Sequence, residues 1–321
     1  MAGLVDAFSL IAKKSLEWKL WVYLFAVALA GILAFFVSLM VVLLAGLVVF
    51  FALNLSPVAL LIYFILFVLF VLLMFAVGSA MTGTSLNLTR EFLEKGKLDF
   101  NSAWNKTQPR IFTAVKVELI VFVFFSVIFL IVFFPFISSL INFFNSFSLA
   151  QLALLSSPQQ LLKLLLPLVG SLLFGILLFL LVSIIVLPFS VIYRQIPFFE
   201  SESSVDSIKR AIFLAKKNYL KNFAFYLIMF FFLFAVSLVY SLVLVLLSLP
   251  LATGILWLII IFTLFRIILQ IVFSVWATAF SYLFEVKIYE LNAVSFPKKP
   301  SAKKLPVKKP AAKKLSARKK K

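Results

Sequence analysis

Residues 203–228 read SSVDSIKRAIFLAKKNYLKNFAFYLI, and this stretch decides the fold, because a short basic helix runs directly into a long uncharged apolar segment. Val205, Ile208, Ile212, Ala215 and Tyr219 recur at spacings of three and four and so share one helical face, while Lys209, Lys216 and Lys217 lie off it. Ser203 is placed to cap the helix with Asp206 three residues on. The acid in the first turn and the lysines in the last both suit the helix dipole. A helix of this form lies in a membrane surface. Beyond Lys221 no charge occurs until Arg266, so the chain that follows is expected to enter lipid.

Composition agrees. The 321-residue chain is 64% hydrophobic with a mean hydropathy of +1.20, against roughly half apolar residues in soluble domains. A hydrocarbon core of about 30 Å is crossed by about 20 apolar residues. Residues 20–89, 119–162, 164–193, 222–265 and 267–284 carry no charge, so most of these runs read as helical hairpins. Asp6 and the basic stretch around Lys13 and Lys14 precede the first apolar run, which is therefore expected to be a retained span and not a cleaved leader.

The expected fold is an all-α polytopic transmembrane bundle of six spans in three hairpins, with amphipathic interfacial helices and a disordered polybasic C-terminal tail. Residues 1–19 form an N-terminal lead-in, with Leu4, Phe8, Ile11 and Trp18 on one face. Residues 20–291 form the membrane domain, with loops near 90–110 and 194–220, and residues 292–321 form the tail. The first hairpin turns at Asn54-Leu55-Ser56-Pro57, where the proline makes Ser56 a natural break. The second has its far-side loop over residues 142–163, where Ser157-Pro158-Gln159-Gln160 reads as the start of a new helix. The third turns between Leu249 and Gly254. Ala26, Ala30 and Ala34, and Ser171 with Gly175, read as small-residue faces for helix packing. This threading puts the Lys and Arg residues of both termini and the two loops on one side and leaves Lys163 opposite. By the positive-inside rule both termini face the cytoplasm, in a multi-pass protein of the cell membrane.

The absence of cysteine and histidine excludes disulfides, Cys/His zinc sites, thiol nucleophiles and His-based triads. There is no phosphate-binding glycine loop, and no catalytic residue, cofactor or metal site is expected. The acids cluster toward the proposed inner layer, including Glu118 and Glu285 near span ends, which reads against ion-coupled transport. Arg266 stands alone within an apolar span with Gln270 one turn on, giving either a lipid, anion or pore site or a side chain that snorkels to the outer interface. An anionic surface would be met by Lys209, Arg210, Lys216 and Lys217. The tail would meet it with Lys298, Lys299, Lys303, Lys304, Lys308, Lys309, Lys313, Lys314 and Arg318. Each cation near an anionic leaflet contributes about 1 kcal/mol. Nucleic acid or a ribosome would attract the tail equally, and simple solvation of the tail is the third reading.

Ser207, Ile208, Ala211, Leu214, Lys217 and Asn218 ahead of an apolar span, three hairpins, and Tyr282 and Tyr289 near the inner end of the last span resemble the membrane domain associated with glycerophosphoryl diester phosphodiesterases and related six-span proteins. The resemblance implies a six-span domain. The family's catalytic barrel and its histidines have no counterpart in this chain, so the hydrolytic activity does not follow. The expected function is that of a non-enzymatic membrane protein that organises the bilayer or handles lipid, with anionic headgroups as partners. A passive or partner-driven transporter or channel is the second reading, and a ribosome-associated insertion factor the third.

Overall fold

The computed structural model describes residues 2–53, 56–146, 158–200, 203–248 and 255–293. Among them the chain is built from helices: α1 (Ala2–Ser15), α2 (Trp18–Leu53), α3 (Pro57–Lys95), α4 (Phe100–Thr107), α5 (Ile111–Ser146), α6 (Pro158–Phe199), α7 (Ser204–Lys217), α8 (Tyr219–Ser248) and α9 (Leu256–Ala293). Six of these, α2, α3, α5, α6, α8 and α9, are long and apolar enough to cross a membrane. The protein is an all-α polytopic bundle, as its apolar runs require. The tail, with its Lys298 to Arg318 cations, lies outside the described residues, as do the turns at Asn54-Leu55 and Leu249 to Gly254.

Local chemistry sets the helix boundaries. Ser56 is the N-cap of α3, its Oγ accepting from the Ala59 amide at 3.2 Å, and Pro57 follows at the first helical position. Ser203 caps α7 in the same way, accepting from the Asp206 amide at 3.3 Å. Asp99 caps α4 by accepting from the Ser102 amide at 3.1 Å. α3 stops at Gly96, whose φ of 65° is left-handed and closes the helix with a bond from its amide to the Phe92 carbonyl. α6 starts at Pro158, where the sequence places a helix start.

The expected loops prove to be largely helical. Only residues 96–99 separate α3 from α4, and a 3-10 turn at Gln108–Arg110, accommodating Pro109, leads from α4 into α5. α6 likewise runs on to Phe199 before α7 begins. Helix propagation adds one backbone bond per residue, so a span carries its helix past the membrane surface until a capping glycine or proline ends it. The far-side loop is correspondingly shorter than residues 142–163, because α5 extends to Ser146 and α6 begins at Pro158.

The bundle is packed at one end. A continuous core joins Ile11 of α1, Leu20 and Leu24 of α2, Leu88 and Phe92 of α3, Ala103 of α4, Val117 of α5, Ile192 and Ile196 of α6, Leu214 of α7, Phe225 of α8, and Phe280 and Phe284 of α9. Phe225 and Phe284 stack with their centroids 4.4 Å apart. At the other end the spans present leucine, phenylalanine, valine and isoleucine outward, as helices bathed in hydrocarbon do. There α2 stays against α3, where Tyr63 donates to the Gly46 carbonyl at 3.1 Å. α5 stays against α6, where the Phe133 ring sits over Gly175. Gly175 therefore serves packing as its spacing suggests, whereas Ala26 and Ala30 are exposed. α2 turns Leu20, Leu24, Val27 and Gly31 inward instead.

Candidate functional site: a polar chamber and two grooves

Polar side chains concentrate at the packed end, and some of them fasten the surface helices. Glu91 of α3 accepts from Ser102 Oγ at 2.6 Å and pairs with Lys106, and Asn87 donates to Thr107 Oγ1 at 3.0 Å; these contacts pin α4 to α3. Glu200 accepts from the Tyr289 hydroxyl at 2.7 Å and pairs with Arg210 at 3.3 Å. Asn292 Nδ2 donates to Asn222 Oδ1 at 2.9 Å, while Asn292 Oδ1 accepts from Asn218 at 2.8 Å. The junction of α7 and α8 is thereby fastened to the end of α9, 70–74 residues further along the chain. Amide pairs of this kind satisfy polar groups that hydrocarbon-like surroundings would leave costly.

Above these fasteners lies a polar chamber of about 320 Å³ lined by Thr82, Arg194, Thr278, Ser281, Tyr282 and Glu285. Arg194, from α6, is accessible from it and lies in the electrostatic field of both Glu285 of α9 and Glu118 of α5. Its Nε donates to the Tyr193 hydroxyl at 3.1 Å. Glu118 accepts from Ser79 Oγ of α3 at 2.9 Å. The Glu285 carbonyl accepts from Gln195 at 2.8 Å, whereas Glu285 Oε2 has no hydrogen-bond partner among the described residues. A guanidinium and a carboxylate lining one space, set among hydroxyls, can hold a group bearing both signs of charge or several hydrogen-bonding oxygens.

Next to the chamber along α9 lies a groove of about 390 Å³ between α9 and α2. Gln270, Ser274 and Thr278 on α9 face Leu24, Phe25 and Ala28 on α2, and Thr278 borders both spaces. Gln270 thus lines a groove. Arg266, one turn beyond, is exposed and makes no hydrogen bond or ion pair to the described residues. The sequence reading found these two residues but missed Ser274, Thr278, Ser281 and Arg194. For the three on α9 the signal was present in the spacing, because a residue every three or four positions from Arg266 to Glu285 is polar.

A second, almost wholly apolar groove of about 430 Å³ runs beside α7. Ile120, Val121 and Phe124 of α5, Val186, Pro188 and Phe189 of α6, and Ile208, Ile212 and Ala215 of α7 line it, with Lys216 and Tyr219 at its border. The α7 face identified from sequence is the one turned to this groove. The face buried in the bundle is the neighbouring one, Ser207, Ala211 and Leu214, with Ala215 shared between the two faces, because the small Ser207, Ala211 and Ala215 side chains let α7 approach the spans closely. Of the surface cations, Lys209, Lys216 and Lys217 are exposed, but Arg210 is half-buried and committed to Glu200. It is therefore an internal anchor and not a free surface cation.

Compared with known protein families, curated proteins and solved structures, the chain matches none. The fold and the spans define it as a multi-pass membrane protein.

Proposed function

We propose that this is a non-enzymatic membrane protein that holds phospholipid at the inner leaflet of the cell membrane, with both termini in the cytoplasm. The apolar groove beside α7 carries this reading, since aliphatic and aromatic walls suit an acyl chain while Lys216 at the border suits the phosphate of the same molecule. The position fits as well. Lys209, Lys217 and Lys116 lie on the exposed surfaces of α7 and the start of α5, so an anionic headgroup would meet several cations at about 1 kcal/mol each. The orientation rests on the Lys and Arg excess at the packed end.

The test is lipid retention. Wild type, Lys216→Ala and Ile212→Trp are purified in mild detergent, and bound phospholipid is measured by native mass spectrometry. Ile212→Trp fills the groove without touching the charge. We expect loss of anionic lipid in Lys216→Ala and loss of lipid of every headgroup in Ile212→Trp, with both proteins folded. Retention equal to wild type in both variants refutes the reading. A passive transporter is the second reading, supported by the charged chamber around Arg194. It predicts solute flux through liposomes that depends on Arg194 and not on Lys216.

A further inference from the structure

Arg266, Gln270, Ser274, Thr278, Ser281 and Glu285 follow one another on α9 at intervals of four, four, four, three and four residues, which keeps them on one side of the helix. From Arg266 to Glu285 the helix rises about 28 Å at 1.5 Å per residue, close to the roughly 30 Å of the hydrocarbon core. A polar stripe thus runs from one membrane interface to the other. Its middle is not sealed by protein: Gln270, Ser274 and Thr278 are exposed within the groove against α2. Polar side chains held in hydrocarbon are costly unless something polar meets them. Thr278 Oγ1 donates to the Ser274 carbonyl of its own helix at 2.8 Å, but α2 offers Gln270 and the Ser274 hydroxyl only Leu24, Phe25 and Ala28, so the complement of these two must come from outside the chain.

We propose that this groove is a path by which phospholipid headgroups cross the bilayer, so that the protein passively equilibrates lipid between leaflets. This proposal rests on the lipid-handling reading but concerns a different surface and a different activity. Arg266 marks one end and Arg194 the other, in the chamber that shares Thr278 with the groove. Both cations complement a phosphate, and hydroxyl and amide side chains between them replace part of its hydration. A groove open on its membrane side leaves the acyl chains in lipid while only the headgroup travels along the helix. No energy source is needed, because the movement is down a gradient of lipid composition.

The full chain is reconstituted into vesicles of phosphatidylcholine with a minority of phosphatidylglycerol and a trace of fluorescent, NBD-labelled phosphatidylcholine, and dithionite is added outside. Protein-free vesicles lose only the outer-leaflet fluorescence, whereas wild-type proteoliposomes should lose nearly all of it. Ser274→Leu combined with Thr278→Leu should slow that second phase by about tenfold or more, as expected when headgroup hydrogen bonds in hydrocarbon are lost. Val272→Leu, off the stripe, should leave it unchanged. Wild-type vesicles that behave like protein-free ones overturn the proposal, and so does equal scrambling in the doubly substituted protein. Entry of dithionite into the lumen, read with an encapsulated water-soluble dye, overturns it in favour of an aqueous pore. Photo-crosslinking from position 274 that captures polypeptide and no phospholipid overturns it in favour of an insertion factor. None of these results alters lipid retention at Lys216, so the two readings fail separately.

Discussion

Gly83 of α3 lies under the ring of Phe198 of α6, and a Cβ built there would stand 2.3 Å from one ring carbon and 2.7 Å from two others. Carbon atoms rest about 3.5–4.0 Å apart, so the ring would have to retreat by about 1.2–1.7 Å. It has little room to do so, because Phe198 is itself buried and clustered with Leu86, Ala114 and Val286. Overpacking of this kind costs about 1–3 kcal/mol. Glycine to alanine within a helix also contributes up to about 1 kcal/mol the other way, which would blur a single measurement. Gly78, on the same helix, removes that ambiguity, since a Cβ there meets nothing within 4 Å. Both substitutions share the propensity gain, so the difference between Gly83→Ala and Gly78→Ala isolates the clash. At about 2–4 °C per kcal/mol for a domain of this size, the two variants should differ in Tm by about 2–12 °C in detergent, with Gly83→Ala the lower. Adding Phe198→Leu to Gly83→Ala should recover part of the loss, as contacting sites couple. Equal melting of the two alanine variants, or no recovery in the double variant, would refute the close approach of α3 to α6.

Asn292→Leu should cost about 1–3 kcal/mol, because the buried Asn222 amide and the half-buried Asn218 amide both lose their partner; thermal unfolding of the purified protein measures it, and an unchanged Tm would contradict the triad. Topology can be tested directly in a chain without cysteine. Single cysteines at Ser56, Ser146 and Thr253 should react with an impermeant thiol reagent from outside the cell, and those at Ser102, Ser203 and Ser301 should not. Outside labelling at Ser203 would reverse the proposed orientation. Removal of residues 297–321 takes away twelve Lys and Arg residues. It should leave the Tm of the membrane domain unchanged while weakening low-salt binding of the cytoplasmic face to anionic liposomes; undiminished binding would assign the charge effect to α7.

The helices and their limits could be read from the chain because they depend on neighbours in sequence. The length of each uncharged run against the hydrocarbon thickness gives the six spans. Ser56 before Pro57, Pro158, and Ser203 before Asp206 give three of the starts. The lengths of the connecting loops were overestimated, since charged residues such as Glu94 and Lys95 mark where a span leaves lipid but not where its backbone hydrogen bonding stops. Two apolar faces of α7 lie side by side, and only packing against α5 and α6 decided that Ala211 and Leu214 go inward and leave Ile208 and Ile212 to the groove. The polar spacing on α9 was present in the sequence, but that it faces α2 and ends at an arginine of α6 was not. Ser79, Glu118, Arg194 and Glu285 come from four different spans. Their meeting depends on which side each span turns to its neighbours, and long apolar helices with nearly uniform surfaces carry almost no periodic signal of that rotation. The packed end supplies it, through Phe225 on Phe284, the Asn218, Asn222 and Asn292 amides, and Glu91 with Lys106, which fix the rotation of the helices that carry them.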